Sequence, residues 1–127
     1  MICQLSLLCV LRLPPVGYAN AAAHLGKVVC LSTIGAQATQ SNLLTQLQIL
    51  EQVLGDLPMP IAFLRPAWFM ENAAWDVAPA RESGIIQSFL EPLDKPVPMI
   101  ATADIGRVAS ELLQQTWSGR RIVTGLL

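Results

Sequence analysis

Residues 61–72 read Ile-Ala-Phe-Leu-Arg-Pro-Ala-Trp-Phe-Met-Glu-Asn, and this stretch decides how the rest of the chain is interpreted. Its first four residues form an apolar run typical of a strand buried on both faces. Pro66 ends that strand, because proline has no amide hydrogen to donate to a central ladder. An aromatic and then a polar loop follows at the carboxyl end of the strand. In α/β proteins, ligands bind at that edge of the sheet.

A second buried strand and a helix precede this stretch. We predict that strand over residues 27–34, where β-branched and apolar residues run without alternation and stop at Ser32-Thr33, before Gly35. Leucines then recur at helical spacing and predict an amphipathic helix that begins after Ser41 or Asn42 and ends at Gly55. Its apolar stripe comprises Leu43, Leu47, Leu50 and Leu54, widened by Leu44 and Val53, with Gln46, Gln48 and Glu51 opposite. Strand, helix and strand make a βαβ unit with parallel strands, so we expect Ser32 and Thr33 at the same sheet edge as residues 65–67.

The remaining patterns predict shorter elements around this unit. We expect strands at residues 7–13, 84–86 and 121–124, and an alanine-rich helix at residues 18–25. A second amphipathic helix is predicted over residues 104–117, with Thr102 as its cap. The apolar face of that helix comprises Ile105, Val108, Ala109, Leu112 and Leu113. Together these elements predict an α/β protein whose parallel strands are covered by helices, in one domain spanning residues 1–127.

Composition limits the partners of the chain. The 8 Lys and Arg residues against 9 Asp and Glu leave a net charge of −1 and no basic field, so nucleic acid is not an expected partner. No run reaches the roughly 20 apolar residues of a membrane span, and residues 1–11 lack the positive start and cleavage site of a signal peptide. Neither membrane binding nor secretion is therefore expected.

The cysteines and the histidine suggest neither disulfides nor metal. The 3 cysteines contain no CxxC pair and leave one without a disulfide partner in any pairing, which fits a reducing compartment and predicts a cytoplasmic protein. Cys30 lies inside an apolar run and is interpreted as a core residue. His24 stands alone, without the clustered cysteines or carboxylates of a metal site.

Four segments in order resemble the NmrA-like family, atypical short-chain dehydrogenase/reductases with NAD(P)-binding Rossmann folds. They are VVCLSTIGA at 28–36, the helix around Leu50-Glu51, FLRPAWFMEN at 63–72 and ADIGRVA at 103–109. The resemblance implies the C-terminal portion of a Rossmann-like domain: a partial, doubly wound parallel sheet with flanking helices, without the preceding units that carry the glycine-rich dinucleotide motif. The 8 glycines indeed include no GxGxxG or GxxGxxG spacing. We therefore expect weak or absent binding of NADP or NAD by this chain alone, and the residue that distinguishes the two cofactors belongs to the absent half.

The same resemblance assigns candidate binding residues at the predicted sheet edge. Its nicotinamide contacts would be Ser32, Thr33, Pro66, Ala67, Trp68 and Phe69, and its substrate contacts Trp68, Glu71 and Asn72. Structural roles compete with each assignment. The two hydroxyls could instead cap the strand loop, residues 66–69 could form an apolar lid on the core, and residues 71–72 could complete a turn. Arg65 is expected to pair with Glu71 or Asp104.

Catalysis is not assigned to any residue. Dehydrogenase relatives carry a tyrosine and, four residues later, a lysine on the helix after the serine-bearing strand, and our alignment places Leu43 and Leu47 there. Neither side chain can transfer a proton. One hypothesis is a redox-sensing or regulatory dinucleotide binder with little activity alone. The alternatives are an NAD(P)H-dependent reductase of quinone, azo or carbonyl substrates, and a non-enzymatic interaction protein or non-functional truncation that self-associates through an exposed sheet edge.

Overall fold

A four-stranded mixed sheet lies at the centre of the computed structural model, which describes residues 9–11, 26–40, 44–88 and 90–125. In chain order the elements are β1 (Cys9–Leu11), β2 (Val28–Leu31), α1 (Thr45–Gly55), β3 (Ile61–Arg65), β4 (Trp68–Phe69), a 3₁₀ helix (Met70–Asp76), α2 (Val77–Ser83), β5 (Met99–Ile100), α3 (Thr102–Gln114) and β6 (Arg120–Thr124). None of the helices in this part of the chain is both long and apolar enough to cross a membrane.

The central sheet has the order β1-β2-β3-β6. β2, β3 and β6 are parallel, which confirms the predicted βαβ unit and the parallel final strand. β1 pairs antiparallel with β2, so the prediction of an entirely parallel sheet is wrong at this edge. An edge strand has a neighbour on one side only, and antiparallel edge strands are common on otherwise parallel sheets. The helix predicted at residues 18–25 lies outside the described residues.

Helices cover the two faces of the sheet because successive strand residues point to opposite sides. One face carries Val28, Cys30, Ile61 and Phe63, against which Leu50 and Leu54 of α1 and Met59 pack. The other face carries Val29, Ala62 and Leu64, which form one cluster with Ile105 and Leu112 of α3 and with Ala67, Ile100 and Trp117. Cys30 is 1% exposed, as its place in an apolar run predicted. The fold is therefore mixed α/β, with β2 and β3 buried on both faces and β6 largely exposed.

The inner face of α1 differs from the predicted stripe. The helix begins at Thr45 with Leu44 as its N-cap, so neither Ser41 nor Asn42 holds that position. Leu47 is buried, but Val53 is 63% exposed and lies outside the stripe. Glu51, predicted on the polar face, is buried because it follows Leu47 by four residues and shares its side of the helix.

Elements beyond β3 are only partly as predicted. The apolar face of α3 is confirmed, but the helix begins at Thr102 and ends at Gln114, and Trp117 is buried in the segment after it. β4 and β5 form a separate two-stranded parallel sheet that the sequence did not predict. The strand predicted at residues 84–86 is wrong, because Ile85 and Ile86 are exposed and lie outside any strand.

Candidate functional site

Two loops meet at the carboxyl edge of the central sheet, where β2 and β3 end. The amide of Ser32 donates to the carbonyl of Leu64 at 2.7 Å, and the amide of Ile34 donates to the carbonyl of Pro66 at 2.9 Å. The pairing thus continues past the last ladder pair, Leu31 with Leu64. It confirms the prediction that the Ser32–Thr33 and 65–67 segments share one edge. We call residues 32–36 and 65–69 the carboxyl-edge site.

A buried carboxylate lies beneath this site. The side chain of Glu51 is 3% exposed. Its Oε1 accepts hydrogen bonds from Arg65 Nε at 2.8 Å and Ser32 Oγ at 2.5 Å, and its Oε2 accepts one from Arg65 Nη2 at 2.6 Å. Nη2 of Arg120 lies 3.6 Å from Oε2. The sequence did not predict the bidentate pair of Glu51 and Arg65. Glu71 and Asp104, the partners predicted for Arg65, are wrong.

The Glu51–Arg65 pair is held in its ionised form. Burial alone would raise the pKa of Glu51, but the hydrogen bonds from Arg65 and Ser32, with the charges of Arg65 and Arg120, outweigh it and hold the pKa below its ordinary value. The hydrogen bond to Glu51 raises the pKa of Arg65 against the opposing effect of burial. A carboxylate with such partners does not hold a proton at neutral pH, so Glu51 positions neighbouring groups and is unsuited to acid catalysis.

The two hydroxyls predicted as cofactor contacts differ in their surroundings. Ser32 is 5% exposed and its hydroxyl donates to Glu51, so that side chain is directed inward. Thr33 is half-buried, and its hydroxyl donates to the carbonyl of Ile34 at 3.2 Å. Of the two side chains, that of Thr33 is therefore the more accessible to solvent.

The apolar part of the site divides into core and surface residues. Pro66 and Ala67 are buried, and Phe69 packs against the hydrophobic cluster shared by the sheet and α3, as an apolar lid would. Trp68 is 41% exposed and lies opposite Met99 in the β4–β5 pair. Trp68 is thus the aromatic side chain of this segment that a ligand could reach.

Glu71, predicted to contact substrate, caps a helix. Its Oε1 accepts from the amide of Thr102 at 2.9 Å and from the hydroxyl of Thr102 at 2.8 Å, at the first residue of α3. The hydrogen bond from the Thr102 amide is the main cause that lowers the pKa of Glu71. Thr102 is a donor to this cap and Ala101 holds the N-cap position. Asn72 is half-buried within the 3₁₀ helix.

The two positions aligned with the tyrosine and lysine of dehydrogenases, Leu43 and Leu47, carry no group that could transfer a proton in their place. Leu47 is 8% exposed and part of the inner face of α1, whereas Leu43 lies outside the described residues.

An open groove of about 350 Å³ lies at the opposite, amino edge of β3 and β6, away from the predicted contacts. It is lined by Gly55, Leu57, Pro58, Met59, Pro60, Ile61, Ser118, Gly119 and Arg120. In residues 26–40, 44–88 and 90–125, no three side chains of the metal-ligating types come together.

The carboxyl-edge site presents groups that a flat ligand could contact, and it has little means to transfer protons. It offers the backbone of two adjoining loops, the Thr33 hydroxyl and the exposed indole of Trp68, above an ion pair that fixes the two strand ends. Comparison with protein-family models, curated proteins and solved structures found nothing that matches this chain.

Proposed function

We propose that this chain is an NmrA-like, Rossmann-like binder of NADP or NAD that senses the cofactor rather than converting it. The nicotinamide end would lie at the carboxyl-edge site. The observation that best supports this is the pair of backbone hydrogen bonds, Ser32 to Leu64 and Ile34 to Pro66, which joins the two loops at the ligand edge of a parallel sheet. The finer fold assignment, one half of a doubly wound sheet, is part of the same proposal.

The residues present fit one end of the dinucleotide. An exposed indole and adjoining backbone groups suit a flat ring with a carboxamide, and Thr33 adds a hydroxyl. The Ser32 side chain does not fit this role, because its hydroxyl is bound to Glu51. No glycine-rich spacing in the sequence offers a pyrophosphate cradle. We therefore propose that binding rests on the nicotinamide ring and is weak, in the millimolar range.

Sensing is favoured over reduction by the state of the nearby ionisable groups. A bound nicotinamide supplies or accepts hydride, and a reductase must also protonate its product. Glu51 and Arg65 hold each other ionised, and Leu47 cannot carry a proton. A quinone or azo reductase would then depend on solvent as its proton source. We expect no NADPH consumption by folded protein with a quinone panel; consumption that requires Trp68 would favour the reductase instead.

Trp68 and Trp75 provide a matched test of the proposed site. Trp75 is 65% exposed in the 3₁₀ helix and serves as the control for a general loss of exposed indole. Ligand-observed NMR with NADP and NAD should detect millimolar binding to the wild type and to Trp75→Ala, and much weaker binding to Trp68→Ala. Unchanged binding by Trp68→Ala would refute the site. Micromolar affinity would refute the claim that a phosphate cradle is needed, and absence of binding would refute the function.

A further inference from the structure

β6 ends one side of the central sheet, and within the described residues no strand pairs with its outer side. On its inner side the amide of Ile61 donates to the carbonyl of Gly119, and the amide of Gly125 donates to the carbonyl of Arg65. Bonding groups alternate along a strand, so the backbone groups of Arg121 and Val123 also face β3. The amides and carbonyls of Arg120, Ile122 and Thr124 then face outward.

The outer side of β6 is complementary to itself. Gly119 and Gly125, with φ of 70° and 75°, bound the strand three residues to either side of Ile122. A two-fold axis at Ile122 would place Ile122 opposite its own copy and Arg120 opposite Thr124 of a second chain. In such an antiparallel pair the outward-facing residues can exchange both of their hydrogen bonds. A parallel pair in register would instead place the arginines side by side.

Charged side chains often protect sheet edges from pairing, but the two arginines of β6 are bound within their own chain. The guanidinium of Arg120 lies 5.1 Å from the ring centre of Phe63 and 3.6 Å from Glu51 Oε2. The guanidinium of Arg121 lies 5.4 Å from the ring centre of Trp117. Each arginine thus has a partner on its own face of the sheet. Ile122, at the middle of the strand, is 46% exposed.

We propose that a second copy of this chain pairs with β6, antiparallel and about a two-fold axis at Ile122. The sheets of two copies would then continue into one another. A pair of five-residue strands is smaller than a standard interface of about 1,600 Å². The dimer is therefore expected to be concentration-dependent. This proposal does not rest on nucleotide binding.

Sedimentation velocity over a concentration series tests the proposal. Ile122→Lys places two ammonium groups opposite one another across the axis, and like charges at such positions oppose pairing. We expect it to weaken dimerisation at least about tenfold. Val53→Lys is the control. Val53 is 63% exposed on α1, so this substitution adds the same charge away from the edge. A wild type that is monomeric throughout, or a dimer that survives Ile122→Lys, would overturn the proposal.

Hydrogen exchange of the wild type provides a second measurement that needs no variant. The amides of Arg121 and Val123 should be protected at all concentrations, because they face β3. The amides of Ile122 and Thr124 should gain protection only as the dimer forms. This odd–even alternation distinguishes pairing through β6 from a dimer that uses another surface. Equal exchange of Ile122 and Thr124 in dilute and concentrated protein would contradict the proposed pairing.

Discussion

Glu51 connects all three parts of the βαβ unit. It belongs to α1, accepts a hydrogen bond from Ser32 after β2, and forms a bidentate ion pair with Arg65 at the end of β3. A carboxylate that is 3% exposed remains charged only when such donors replace its water. The ion pair therefore fixes the relative position of the two strand ends that form the carboxyl-edge site.

Replacement of Glu51 by glutamine should be costly, because it leaves Arg65 without its charged partner. We expect the free energy of unfolding to fall by about 3 kcal/mol. Glu111→Gln is the matched control, since Glu111 pairs with Arg107 at the surface, where both side chains are about half exposed. That change should cost less than about 1 kcal/mol. Urea denaturation measures both changes. Equal losses of unfolding free energy in the two variants would show that the buried pair stabilises the fold no more than the surface pair does.

The lowered pKa of Glu51 also predicts how stability depends on pH. The unfolded chain binds a proton at Glu51 more readily than the folded chain does, so the stabilising contribution is complete above the ordinary pKa of 4.5. It should be lost as the pH falls below that value and through the folded pKa. Urea midpoints from neutral to acid buffers should fall less steeply for Glu51→Gln than for the wild type. Parallel profiles would contradict the assignment.

At the scale of elements, α1 packs on the sheet through its leucines and without Val53, which was predicted to widen their stripe. Leu47 is 8% exposed and Val53 is 63% exposed. We expect Leu47→Ala to lower the free energy of unfolding by about 2–4 kcal/mol because it leaves a cavity. Val53→Ala should change it by less than about 0.5 kcal/mol. Thermal or urea unfolding compares them, and a large effect at Val53 would mean that the helix is rotated from its described position.

Elements with a strong pattern were predictable, and those without one were not. β2 and β3 are continuous apolar runs, and parallel pairing follows from the helix between them, so the shared sheet edge followed as well. The burial of Glu51 was not predicted, because a helix pattern places charged residues in solvent. Its partners Ser32 and Arg65 lie in other segments, so the pattern of the helix does not reveal them. β4 and β5 have two residues each, too few for any periodicity to appear. Ile85 and Ile86 have strand-forming side chains, but they are exposed and belong to no strand.

At the scale of the whole molecule, the sheet has four margins, one of which is the lateral edge formed by β1. The carboxyl edge carries the loops after β2 and β3, the amino edge carries the open groove, and β6 forms a lateral edge. Helices occupy the faces between them, which leaves these margins for contact with other molecules. We propose that the carboxyl edge binds nicotinamide and that the β6 edge binds a second copy of the chain.

A titration of ¹⁵N-labelled protein with NADP, followed amide by amide, tests the assignment of the carboxyl edge most directly. We expect shifts in fast exchange, as weak binding requires, confined to residues 33–36 and 67–69. Shifts centred on the groove at Leu57 and Ser118, or no shifts at millimolar NADP, would contradict it.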